Sequence, residues 1–149
     1  MLRLSKKTEY AIIALVDMAG QEHKEPVPVK AMAEAYAIPG ELLGKILQTL
    51  KKAGLVLSIQ GTKGGYLLAR KPEDIFLSEI VEAIEGPIAL MSCYSELNCD
   101  CVQFTRCTIK SPLQFIQKEI RNYFEKISLV TLKDNLVQPL IQVATSHGG

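Results

Sequence analysis

The chain is 149 residues long and 48% apolar, enough to bury one core of ordinary domain size, which excludes a disordered chain and a disulfide-stapled miniprotein. The 17 basic and 16 acidic residues leave a formal charge of +1, a total that argues against a uniformly basic nucleic-acid binder. That total hides a segregation: residues 1–71 carry +5, residues 72–109 carry −6 and residues 110–149 carry +2.

Over residues 5–19, Thr8, Ala11, Ile12, Leu15, Met18 and Ala19 recur every three or four positions, the pattern of an amphipathic first helix that Gly20 ends. Pro26 and Pro28 set an extended approach to a short helix over about Val29 to Tyr36, with Ala31, Met32 and Ala35 turned inward. Ala37-Ile38-Pro39-Gly40 makes a tight break. A longer helix follows over about residues 41–53, with Leu42, Leu43, Ile46, Leu47, Leu50 and Ala53 as its apolar face and Gly54 as its left-handed cap. Glu41, Lys45, Gln48 and Lys52, at offsets of 0, 4, 7 and 11, share the opposite, exposed stripe. Residues 55–59 and 66–69 read as strands joined by the glycine-rich tip Gln60-Gly61-Thr62-Lys63-Gly64-Gly65.

Helix, helix, turn, helix and hairpin, coinciding with the basic surplus, predict a winged helix-turn-helix. In such a unit the third helix enters the major groove and the hairpin tip meets backbone or minor groove. The alternative is a helical unit that docks on a protein, its polar stripe merely solvated. Next, Leu77, Ile80, Val81 and Ile84 mark a helix that Gly86-Pro87 ends. Residues 91–110 lack periodicity and read as a loop. Beyond Pro112, the residues Leu113, Ile116, Ile120, Tyr123, Phe124, Ile127 and Val130 mark one long helix whose apolar seam a small head does not cover. It reads as a dimerisation helix, suited to a two-fold DNA site, with packing inside the chain as the alternative.

The expected fold class is thus mainly α (α+β). The winged helix-turn-helix DNA-binding domain occupies residues 1–71, the linker helix and cysteine loop 72–110, the dimerisation helix 111–137 and a flexible tail 138–149. No apolar run is long enough to cross a bilayer and the N-terminus is not a signal peptide, so a cytoplasmic location and no membrane partner are expected.

All four cysteines fall together, as Cys93-x5-Cys99-x-Cys101-x5-Cys107. In a reducing compartment such grouping points to metal ligands or redox thiols rather than structural disulfides. The paired tight knuckles of a zinc site are missing. Thiolates spread around an irregular loop suit an iron-sulfur cluster; metal-free redox thiols, zinc and inert cysteines are the alternatives. Glu96 and Asp100 would add negative charge and lower such a cluster's reduction potential. His23 and His147 have no evident acid-base partner, and Gly61-x-x-Gly64-Gly65 opens no helix and is not a phosphate loop. With no nucleophile beside a base, neither an enzyme nor a small-molecule substrate is expected.

Four stretches carry a resemblance: Leu4-Ser5-Lys6-Lys7-Thr8-Glu9-Tyr10-Ala11, Leu50-Lys51-Lys52-Ala53-Gly54-Leu55-Val56, Gly61-Thr62-Lys63-Gly64-Gly65-Tyr66-Leu67-Leu68 and Leu77-Ser78-Glu79-Ile80-Val81-Glu82-Ala83-Ile84-Glu85-Gly86. Over nearly its whole length the chain resembles the Rrf-two type family of bacterial transcriptional regulators, with IscR-like, NsrR-like and CymR-like branches. The resemblance implies a homodimeric winged-helix regulator of double-stranded DNA. In sensing members the cysteine loop holds a 2Fe-2S or 4Fe-4S cluster through three cysteines and one other ligand. The IscR-like pattern supplies a histidine shortly after the last cysteine, where this chain has Lys110. The NsrR-like pattern supplies a carboxylate from the first helix of the partner subunit, a position Glu9 matches. The implied ligands are therefore Cys93, Cys99 and Cys107, with Cys101 as the alternate to Cys99, and Glu9; a site made of all four cysteines is the alternative. By position, the implied DNA contacts are Lys6, Glu41, Lys45, Gln48, Ser58, Gln60, Thr62 and Lys63. Gly44 and Gln60 stand where the IscR-like pattern has an acidic residue and an arginine, so a different operator is expected. The function implied is cluster-gated regulation responding to redox state, iron, cluster status or nitric oxide. The alternatives are a cluster-free regulator acting through thiol oxidation or a partner protein, and an iron-sulfur scaffold or electron carrier that docks through the winged unit.

Overall fold

The computed structural model describes residues 2–21, 25–95 and 100–134. Helix α1 (Lys6–Gly20) begins at Ser5, whose hydroxyl accepts from the Thr8 amide at 3.3 Å and satisfies a donor of the open first turn. It buries Thr8, Ala11, Ala14, Leu15 and Met18. Helix α2 (Val29–Tyr36) buries Met32 and Ala33, while Ala31 and Ala35 are exposed, contrary to the expected face. Val29 and Met32 are the bulky apolar side chains here, and turning them inward carries Ala33 in and Ala31 and Ala35 out at the helical period. Helix α3 (Gly40–Lys52) buries Leu43, Ile46, Leu47 and Leu50, with Leu42 half-buried and Ala53 exposed beyond its end. That end is closed by a pair of bonds, Gly54 N–H to the Lys51 carbonyl and Leu55 N–H to the Leu50 carbonyl, both 3.0 Å. The closure needs the left-handed φ of 77° that Gly54 adopts without a Cβ penalty.

Strands β1 (Val56–Ile59) and β2 (Gly65–Leu68) pair antiparallel with Ser58 opposite Tyr66 and Ile59 opposite Gly65. Val27 exchanges two 2.9 Å backbone bonds with Tyr66, which fastens the hairpin to the chain ahead of α2. A 3-10 turn (Pro72–Asp74) leads to α4 (Leu77–Glu85), where the Glu79 carboxylate accepts from the Phe76 amide at 3.1 Å and from Arg70 at 2.7 Å.

Residues 91–110, expected as a loop, contain two single helical turns, α5 (Ser92–Ser95) and a 3-10 turn (Phe104–Arg106). Helix α6 (Lys110–Phe124) stops short of the expected single helix, and α7 (Leu129–Asp134) returns to the head. Leu77 N–H donates to the Ile127 carbonyl at 2.8 Å and Leu129 N–H to the Ile75 carbonyl at 2.9 Å. Leu129 and Ile75 are both fully buried, so burial of Leu129 in the head's core compensates for breaking the helix. Ile127 and Val130 are therefore separated from the face of α6. The expected tail, residues 138–149, lies outside the described residues. Among the described residues no helix is long and apolar enough to cross a membrane.

Candidate nucleic-acid face and cysteine segment

With Leu43, Ile46, Leu47 and Leu50 buried, α3 turns Glu41, Lys45, Gln48 and Lys52 outward, all four exposed. The hairpin tip presents Gln60, Thr62 and Lys63, also exposed, while Ser58 is half-buried within β1. Two glycines shape the tip. A Cβ on Gly64 would lie 2.4 Å from the Ile59 carbonyl oxygen, and one on Gly65 2.4 Å from that of Val27, so a side chain at either position would have to displace backbone. Lys6 is exposed at the start of α1 and paired with Glu9; that hydrogen bond first, then the carboxylate's charge, raises the ammonium above its ordinary pKa. Lys7, which the sequence reading passed over, shares a small cleft with Lys45, Thr49 and Ile84 where α1, α3 and α4 meet. The signal for it in the sequence was its place directly after Lys6 at the start of α1.

In the acidic segment, Cys93 on α5 and Cys107 after the 3-10 turn are half-buried, and Cys101 is exposed, its thiol donating to Gln103 Oε1 at 3.4 Å. These three thiols are free of disulfides. Cys99, Glu96, His23 and His147 lie outside the described residues. Among the described residues no group of three or more His, Cys, Asp or Glu side chains is assembled for a metal ion. Glu9 is half-buried in the first turn of α1, engaged with Lys6. Lys110, in the position of the IscR-like histidine, lays its ammonium 3.6 Å from the centroid of the Phe104 ring.

Two polar ties that sequence reading missed hold this segment at its start. The Glu85 carboxylate accepts from the Ser5 amide and the Thr8 hydroxyl, each at 2.6 Å, joining the end of α4 to the start of α1. These donors, Thr8 first, hold the Glu85 carboxyl below the usual carboxylate range. Gln117, nearly fully buried on α6, accepts from the Leu90 amide at 2.9 Å. Arg121 on α6 also reaches Glu82 on α4 at 2.9 Å. Ile109, just ahead of α6, and Ile116 and Tyr123 on it are exposed at a spacing of seven residues, as is Phe115.

Residues 4–135 match the family model described as Rrf2, iron-dependent transcriptional regulator. The chain is 31% identical over 153 aligned positions to the HTH-type transcriptional regulator IscR of Vibrio atlanticus, an alignment spanning 99% of this chain and 87% of that protein. Among solved structures, CymR (YrzC), the global cysteine regulator of B. subtilis, superposes with a TM-score of 0.71 at 26% identity, covering 91% of this chain and 98% of that one. IscR of T. potens superposes with a TM-score of 0.70 at 30% identity, covering 93% of this chain and 90% of that one. With its winged-helix fold and this match along nearly its whole length, the chain belongs to the Rrf2 family and is a transcriptional regulator of the Rrf2/IscR type.

Proposed function

We propose that the chain acts as a homodimer on a two-fold site in double-stranded DNA, and that an iron-sulfur cluster in the cysteine segment controls this binding. The observation that carries the DNA reading is the exposed stripe Glu41, Lys45 and Gln48 on α3 together with an exposed hairpin tip, both within the most basic part of the chain. In the major groove Gln48 can pair with an adenine edge and Glu41 can accept from a cytosine amine, which is sequence readout. Lys45, Lys63 and Lys6 meet phosphates and supply salt-dependent affinity, with Ser58, Gln60 and Thr62 completing the wing's contacts. The apolar face Ile109, Ile116 and Tyr123 supports dimerisation through α6, since such a stripe is costly to leave in water. A dimer sets two reading heads at a fixed separation.

The donor set suits an iron-sulfur cluster: free thiols, two of them half-buried, in a segment with little regular structure to distort. Cys93, Cys107 and either Cys99 or Cys101 would hold it, with Glu9 of the second copy as the remaining ligand. When bound, the cluster supplies iron–thiolate bonds that respond to oxidant, nitric oxide or iron supply. The chain's own part is to transmit the segment's arrangement. Gln117 fixes its start to α6, and Glu85 fixes the end of α4 to α1, the first helix of the reading head. A second reading is supported by the exposed Cys101 and the likeness to CymR: a cluster-free regulator in which thiol oxidation does the switching.

The test is selection of sites from randomised duplexes at physiological salt, using anaerobically purified protein with its iron and sulfide counted. The expected result is a two-fold site bound at least about tenfold differently by cluster-loaded and chelator-stripped protein. A colourless protein whose DNA affinity changes on thiol oxidation supports the second reading. Failure to recover any site overturns both.

A further inference from the structure

Helix α7 packs against α1 and the 3-10 turn, and it runs from Leu129, bonded to Ile75, towards the end of α1, where a Cβ on Gly20 would lie 3.9 Å from Lys133 Cε. The chain therefore leaves α7 beside the last turn of α1. At that place a groove of about 350 Å³ lies between the end of α1, the end of β2 and the 3-10 turn. Met18, Ala19, Val27, Leu67, Leu68 and Pro72 line it, and all but Met18 are only half-buried. Arg70 at its rim is already engaged with the Glu79 carboxylate and the Asp74 carbonyl, and among the described residues no buried side-chain polar atom lacks a partner. The groove thus offers apolar area rather than the buried polar anchors that orient a small polar ligand.

We infer that this groove is the docking site of the chain's own segment after α7, with Leu136 and Val137 seated in it and Leu140 and Ile141 following along it. Residues 135–146 contain five large aliphatic side chains and no Asp, Glu, Lys or Arg, a composition that leaves apolar area in water unless something covers it. At about 3.3–3.6 Å per residue, Leu136 and Val137 lie within about 11 Å of the end of α7, so the tether holds them at the groove. An attached segment meets the groove at an effective concentration in the millimolar range, above that of a second copy in dilute solution. The segment from residue 138, expected as a flexible tail, is then a packed continuation of the head. Because Leu67 and Leu68 belong to β2, the seated segment braces the strand that carries the hairpin tip and joins the wing to α7.

Thermal unfolding of full-length chains tests the placement. Leu136→Asp with Val137→Asp is expected to lower the melting temperature by roughly 4–8 °C through lost apolar burial. Leu136→Ala with Val137→Ala, which adds no charge at the end of α7, is expected to lower it by about half as much. Ala19→Glu puts a charge in the groove and is expected to cost the natural chain a similar amount, yet to lower the Asp pair by less than about 2 °C further, because the groove is then already vacated. Losses that add in full overturn the inference, and so does an Asp pair that melts with the natural chain. The location is read directly by replacing Leu140 with a benzophenone-bearing residue, which bonds to nearby C–H groups on illumination, in a mixture of isotope-labelled and unlabelled chains. Mass spectrometry is expected to find it joined to Met18, Val27 or Leu67 of its own chain. Attachment across chains would make a second copy the occupant and overturn the inference, as would attachment elsewhere on the chain or none.

Discussion

Between Ser5 and Glu85 each helix delivers a run of side chains to one shared core, with Leu15, Leu43, Leu47, Leu50 and Ile80 all fully buried. Between Gly86 and Ile109, by contrast, no described side chain is buried, although Cys93 and Cys107 reach half-burial. The first region is held by apolar area, whereas the start of the second is fastened by polar ties, Glu85 to α1 and Gln117 to Leu90. Opening the described part of the second region therefore exposes less apolar surface than opening the core, so it can rearrange while the head stays folded. A ligand or oxidant that prefers one arrangement of the cysteine segment needs only a modest free-energy difference to select it.

The sharpest way to break this division is through α7, which is distant in sequence from the head but packed into it. Leu129→Ala removes a fully buried side chain of the same core that holds Ile75. It is expected to lower unfolding free energy by about 3 kcal/mol, the scale for a buried leucine that leaves a cavity. Denaturant unfolding followed by circular dichroism measures this. A loss under about 1 kcal/mol would mean that α7 contributes no more than a surface helix does.

That tie also marks where sequence reading stopped. Helices α1 to α4 and the hairpin were legible because periodicity, the Ser5 cap and Gly54 are local signals that agree with the tertiary result. The break after Phe124 has no glycine or proline to announce it. Its one local mark is Ser128, whose hydroxyl accepts from the Thr131 amide at 3.2 Å and caps α7. What drives the break is the bonding of Ile127 and Leu129 with Leu77 and Ile75, a long-range pairing that no periodicity encodes. In the same way cysteine spacing marks a candidate site, whereas no local pattern in the sequence marks Gln117 or Glu85. Both depend on partners far along the chain.

Glu85→Gln tests the boundary between the two regions and carries a pH signature. The native carboxyl is held below its ordinary value of 4.5 by the Thr8 hydroxyl and the Ser5 amide. Because folding lowers this pKa, the charged form's contribution is fully present above the unfolded value and is lost as pH falls through the folded one. At neutral pH the variant is expected to be less stable by about 1 kcal/mol, the usual net worth of such bonds on a solvent-screened group. That difference should shrink towards zero as the pH is lowered past 4.5 into the acid range. A difference constant with pH would assign the effect to packing, and the tie would lose its electrostatic basis.

The smallest expected effect lies within the cysteine segment. Cys101 is exposed and makes one long bond to Gln103, so Cys101→Ser is expected to change unfolding free energy by less than about 0.5 kcal/mol. Its reactivity carries more information. In chelator-stripped, reduced protein, alkylation followed by mass spectrometry should modify Cys101 before the half-buried Cys93 and Cys107. If the segment opens on its own, the alkylation rates of Cys93 and Cys107 follow local opening and are the same in the natural chain and in Leu129→Ala. Amide exchange in α1 and α3, which requires the core to open, is faster in that variant. Rates that rise together at the cysteines and in the head would mean that both open as one unit, and a signal at the thiols could then reach the reading face only by loosening the whole fold.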